Sequence, residues 1–171
     1  MIEVKIESIR ISLMSPNQVI ILKELDGERC LPIIVAKPEG DAITFKLNHM
    51  EVLRPLSYDL AASIIESLEA KISHVLIKDL KDKHFFASLH FQNDSSEAEI
   101  DCRPSDGIAI AVRVSCPIFV QDDVMQKAGI RQPGASDAQD VEASEDIGAF
   151  NDFIGSLDLG DLDEDDINRP A

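Results

Sequence analysis

An α+β fold is predicted: one compact domain with a mixed or antiparallel sheet and three main helices, followed by an acidic C-terminal tail. Three observations predict it. The first 35 residues alternate or run apolar between turn residues, the signature of strands. The period then becomes helical at 38–48 and 57–70, strand-like over 72–102, and helical again at 104–116. Beyond Gly129 the composition turns linker-like and acidic.

Residues 2–13 alternate twice, as Ile2, Val4, Ile6 and then Ile9, Ile11, Leu13. The phase slips at Glu7 and Ser8, which predicts a bulge in one long strand. Ser15, Pro16 and Asn17 make a turn. Residues 19–22 are continuously apolar, as a strand covered on both faces would be. Asp26 and Gly27 form a tight-turn pair before a third strand over 30–35, so an antiparallel hairpin is expected. Pro32 inside that run points to an edge or a bulge.

Pro38 and Glu39 suit the first turn of a helix over 38–48. Ser57 is a plausible cap for the next helix, where Leu60, Ile64 and Leu68 recur at spacing four beside Ala61 and Ile65. Three strands are expected at 72–80, 85–91 and 98–102. Pro104 then fits the first position of a helix, and Asp106 falls near its third position, where a carboxylate meets the positive dipole end. From Ile108 to Val114 only Arg113 is polar, which predicts a helix buried on most sides. A short strand at 117–120 and a weak helix at 122–128 close the domain, placed at residues 1–130, with the tail at 131–171.

The formal net charge of −16 is unevenly shared. Residues 121–171 hold 14 acids against three bases, and residues 1–120 hold 18 against 13. The body is mildly acidic and has no basic stripe, which counts against tight non-specific binding to nucleic acid. No apolar run reaches the length of a membrane span, and the N-terminus has neither a basic start nor an apolar core. Three widely spaced cysteines, Cys30, Cys102 and Cys116, exclude a paired disulfide framework and point to a reducing, cytoplasmic protein. In the tail, Phe150, Phe153, Ile154 and Leu157 have helical spacing among acids. That segment reads either as a solvated tail or as a short amphipathic helix docking on a partner or neighbouring subunit. The second and third strands and the 104–116 helix look too apolar for the cover available in about 130 residues, which predicts a homo-oligomer, a dimer first.

Polar residues gather at three corners beside Pro or Gly: Glu39 and Asp41, Arg54 and Asp59, and Asp101, Arg103, Ser105 and Asp106. The order Leu31-Pro32-Ile33-Ile34-Val35, Pro38-Glu39, Arg54-Pro55-Leu56-Ser57-Tyr58-Asp59-Leu60 and Asp101-Cys102-Arg103-Pro104-Ser105-Asp106 resembles the bifunctional nuclease (BFN) domain family over residues 1–130. The resemblance implies a compact, often oligomeric α+β domain and nuclease activity on DNA and RNA. Three departures stand out. Val35-Ala36 replaces an Ile-Gly, the small residue after the Glu is Gly40, and Tyr58 occupies the place of a His. With an ordinary pKa of about 10, Tyr is a poor base at neutral pH.

Phosphodiester hydrolysis needs charge neutralisation at the phosphate and an activated water. The resemblance and the corners together nominate Glu39, Asp59, Asp101 and Asp106 as catalytic acids, and Arg54, Arg103 and Ser105 as substrate contacts. If the corners converge, the arginines could hold a phosphate while Glu39, Asp59 or Asp106 holds Mg²⁺ through oxygen ligands. The same residues could instead be a salt-bridge network stapling three loops. The four histidines, His49, His74, His84 and His90, are scattered and read as surface residues. Two functions follow: a nuclease acting on nucleic acid, or a non-enzymatic oligomeric module that binds a small anionic ligand or a protein.

Overall fold

The computed structural model describes residues 1–11, 16–93 and 96–131, which lie in a unit running Met1–Gln132. The expected tail helix, with Phe150 and Phe153, lies outside the described residues.

Eight strands form one mixed sheet in the order β6-β5-β4-β7-β1-β2-β3-β8. β1 (Ile2–Ile11) pairs antiparallel with β2 (Gln18–Glu24), and β2 with β3 (Arg29–Val35). The β1–β2 register slips between Ile6 and Ser8, where the sequence phase slips. Pro32 pairs with Ile21 of β2, while on the other side of β3 the two-residue β8 (Ile130–Arg131) reaches only Arg29 and Cys30. Pro32 thus sits where no further ladder is made, which suits a residue without an N–H.

β4 (Ile72–Lys81), β5 (His84–Asn93) and β6 (Ser96–Cys102) form an antiparallel meander. The two halves of the sheet are joined by β7 (Ile118–Val120), parallel to β4 on one side and antiparallel to β1 on the other. α4 (Asp122–Ala128) follows directly and buries Val124, Met125 and Ala128.

α3 (Pro104–Val114) lies on β4 and β5, and α1 (Lys37–Leu47) and α2 (Ser57–Ser67) both pack against α3. Ile108 and Ala109 are wholly buried. Gly107 allows α3 to approach the sheet: a Cβ there would stand 2.8 Å from Val75 Cγ1 and 3.2 Å from Cys102 Sγ.

Two expectations are corrected. The N-cap of α2 is Leu56, not Ser57; Asp59 in the first turn accepts the Leu56 N–H at 2.8 Å, so the carboxylate three residues in replaces the hydroxyl cap. The apolar strands and helix are also covered within the chain. Ile20, Leu22, Leu31, Ile33 and Ile108 are at most 2% exposed. Bare apolar surface lies instead along residues 47–68.

Candidate functional site

The beginnings of α1, α2 and α3 meet at one corner. Arg103, the residue before α3, donates through Nε and Nη2 to both oxygens of Asp106, at 2.8 and 2.9 Å. Its Nη2 also lies 3.0 Å from Glu39 of α1. Tyr58 of α2 donates its hydroxyl to Asp106 at 2.8 Å. Four side chains from three helices are therefore linked in one chain, with Asp106 at the centre.

Arg103 remains exposed, with 65% of its side chain open, whereas Glu39 is 14% and Asp106 27% open. Beside them lies a cleft of about 580 Å³, lined by Pro38, Phe45 and Leu56 together with Glu39, Tyr58 and Asp106. Burial pushes the Asp106 carboxyl up, but the hydrogen bonds from Arg103 and Tyr58 outweigh it and hold Asp106 below the usual carboxylate range. Burial and the Asp106 carboxylate together push the Tyr58 phenol well above its ordinary value. At neutral pH Asp106 is thus charged and Tyr58 is a hydrogen-bond donor, not a base.

A second ion pair lies behind the first. Arg113, 4% exposed, donates from Nε to Asp59 at 2.6 Å, and its other nitrogens reach the carbonyls of Ala109 at 2.9 Å and Ala42 at 3.3 Å. Its guanidinium also lies 5.5 Å from the Tyr58 ring centroid. Burial raises the Asp59 pKa, but the bonds from Arg113 and the Leu56 N–H leave it lowered.

Of the nominated residues, Glu39, Arg103 and Asp106 come together. Asp59 joins the same three helices through Arg113. Asp101 does not join them: it stands on β6 with its side chain 83% exposed and pairs with Lys78 of β4. Ser105 is buried in the first turn of α3. Arg54 is exposed on the loop before α2 and forms no ion pair or hydrogen bond among the described residues. Asp41 pairs with Lys37 at 2.6 Å and accepts from Gln18 at 2.7 Å. Two of the histidines, read as surface residues, form a cross-strand stack: the His74 and His90 rings lie 4.3 Å apart and 9° from parallel.

The corner does not fit Mg²⁺ as arranged. Glu39 and Asp106 flank one guanidinium, Asp59 faces another, and no group of three or more His, Cys, Asp or Glu among the described residues could hold a metal ion.

Residues 20–133 match the model of the bifunctional nuclease domain. The chain belongs to the bifunctional nuclease domain family. An uncharacterised protein of Mycobacterium tuberculosis (strain H37Rv) is 34% identical over 162 residues, covering 94% of this chain and 97% of its own. Bifunctional nuclease 1 of Arabidopsis thaliana is 29% identical over 121 residues, which cover 68% of this chain and 37% of that protein. Bifunctional nuclease 1 of Oryza sativa subsp. japonica is 28% identical over 130 residues, 72% of this chain and 39% of its own. The family region takes in all three helices of the corner and the strands beneath them. Within it, sequence reasoning missed Arg113 and the use of Tyr58. A single arginine in an otherwise apolar helical run was the available signal for Arg113, because a charge is retained there only if it is paired.

Proposed function

We propose that the chain hydrolyses phosphodiester bonds of DNA or RNA at the Arg103–Asp106 corner. Membership of the bifunctional nuclease domain family supports this reading, and one observation carries it. Arg103 is held in place through Nε and Nη2, which leaves Nη1 for a ligand beside a cleft with an aromatic wall. Held at the N-terminus of α3, its guanidinium has the charge and fork geometry to take a phosphate oxygen. Phe45 offers a face for a base, an interaction that tolerates any sequence. Asp106 positions Arg103, and Tyr58 orients Asp106. The corner as arranged does not provide a ligand set for Mg²⁺ among the described residues.

In this reading the protein works in the cytoplasm as a homo-oligomer, with nucleic acid as its partner. Among the described residues no helix is long and apolar enough to cross a membrane.

One observation favours a second reading, a non-enzymatic module for a small anionic ligand or a protein. Each acid of the corner already has an arginine, so the cluster is closed as a staple would be. Cleavage of end-labelled single-stranded DNA and RNA separates the two. A nuclease predicts product from the wild-type protein and at least a tenfold slower rate in the folded fraction of Arg103→Gln, which also loses the pairs with Glu39 and Asp106 and is less stable. Binding of an anionic ligand without product, in buffer with Mg²⁺ and in buffer with chelator, would replace the nuclease reading by the second.

A further inference from the structure

α2 is apolar on two sides. Tyr58, Ala61 and Ile65 pack on the core. Leu60, Ile64 and Leu68, four residues apart and so in line along the helix, are 59%, 50% and 72% exposed. No residue of α2 is fully buried. The preceding loop adds Met50 and the wholly exposed Leu53. A monomer in water rarely leaves so many large apolar side chains of one segment open.

We propose that this face is the contact between two copies of the chain, related by a twofold axis at Ile64 that sets their α2 helices antiparallel. The proposal rests on the homo-oligomer reading above and names its surface. Three features fit a second copy. The stripe is palindromic about Ile64, so antiparallel pairing lays Leu60 on the partner's Leu68 and Ile64 on the partner's Ile64, as an isologous contact requires. The exposed ends carry both signs, Glu51 and Arg54 before the stripe and Glu66, Glu69 and Lys71 at its end. An antiparallel pair can set Arg54 against Glu66 or Glu69, and Lys71 against Glu51, at both sides of the axis. The exposed apolar residues from 47 to 68 together present several hundred Å², on the order of the roughly 800 Å² per partner that a stable interface buries. Because Leu56 of the cleft lies one turn before Leu60, such a dimer would set the two clefts on either side of the axis.

Sedimentation velocity on the full chain at micromolar concentration is expected to give twice the chain mass. Ile64→Glu faces itself across the axis and is expected to halve that mass with the far-ultraviolet circular dichroism unchanged. Ile64→Cys is expected to cross-link to its own copy under mild oxidation, whereas Phe86→Cys, exposed on β5, is not. A wild-type chain that sediments as a monomer, whatever else covers α2, overturns the surface and the oligomer reading together. A wild-type dimer that survives Ile64→Glu, or in which Ile64→Cys does not cross-link, overturns the surface alone. Neither outcome bears on cleavage, which is read separately.

Discussion

Arg113 joins three helices through one guanidinium that is 4% exposed, while its partner Asp59 is 31% exposed. Arg113→Met is therefore expected to cost about 3 kcal/mol, since it leaves Asp59 without its cation and two carbonyls without a donor. Urea denaturation would measure it. Arg113→Lys keeps the charge but loses the fork, and should recover only part of that loss. Acid should act on the same corner. Asp59 and Asp106 both titrate below the ordinary aspartate value of 3.8. Their pairs contribute in full above about pH 4 and are lost as the pH falls below it, through the folded-state values. The melting temperature should drop steeply below about pH 4, and Asp106→Asn should flatten part of that drop while lowering stability at neutral pH by about 1–3 kcal/mol. At this scale the corner residues were partly legible: Glu39, Arg103 and Asp106 each stand beside a proline or glycine at an element end, where a charge can leave the core. Their partners were not. Tyr58 and Asp106 are separated by 48 residues and Asp59 and Arg113 by 54, and no local pattern encodes a pairing across that span.

α3 owes its position to the absence of a side chain at Gly107. Alanine is the better helix former by about 1 kcal/mol, yet here its methyl would press on Val75 and Cys102. Gly107→Ala is expected to destabilise the fold by about 1–3 kcal/mol. The double variant with Val75→Ala should be less destabilised than the two single changes summed, because the clash is with the Val75 methyl; chemical denaturation of the four proteins gives the coupling. Most elements were legible from periodicity, including the bulge in β1, because alternation reports which side of a strand is buried. The start of α2 at residue 57 was legible but its cap was not: Ser57 looks like a hydroxyl cap, whereas the N-cap is Leu56, whose N–H is taken by Asp59. β8 escaped notice, being two residues long and defined only by the strand it meets.

The whole sheet depends on its shortest internal strand. β7 has three residues, two of them nearly or wholly buried: Ile118 is 6% exposed and Val120 0%. Val120→Ala is expected to cost about 2 kcal/mol and to loosen both flanks, so that hydrogen exchange speeds up in β1 and β4 together. Exchange confined to one flank would show that the halves unfold independently. The strand order itself was not legible. Apolar alternation says that a strand has a buried face but not which neighbour it pairs with, and β7 lies between strands more than 40 and 110 residues upstream in the chain.

That late strand has a consequence for a chain made from one end. While the nascent protein is being extended, β1–β3 can fold on themselves as hairpins, and β4–β6 can do so after them. Val4 and Val75, the neighbours of Ile118 on either side, have nothing between them until residue 118 has left the ribosome. Until then each half presents an unpaired strand edge, which is the surface through which unfinished chains aggregate. The danger is brief, because the joining strand follows α3 almost at once and the N-terminal ammonium then meets Asp122 at 2.5 Å. Synthesis slowed before residue 118 has emerged should therefore yield more insoluble product than an equal pause near the end of the chain, when β7 is already outside the ribosome.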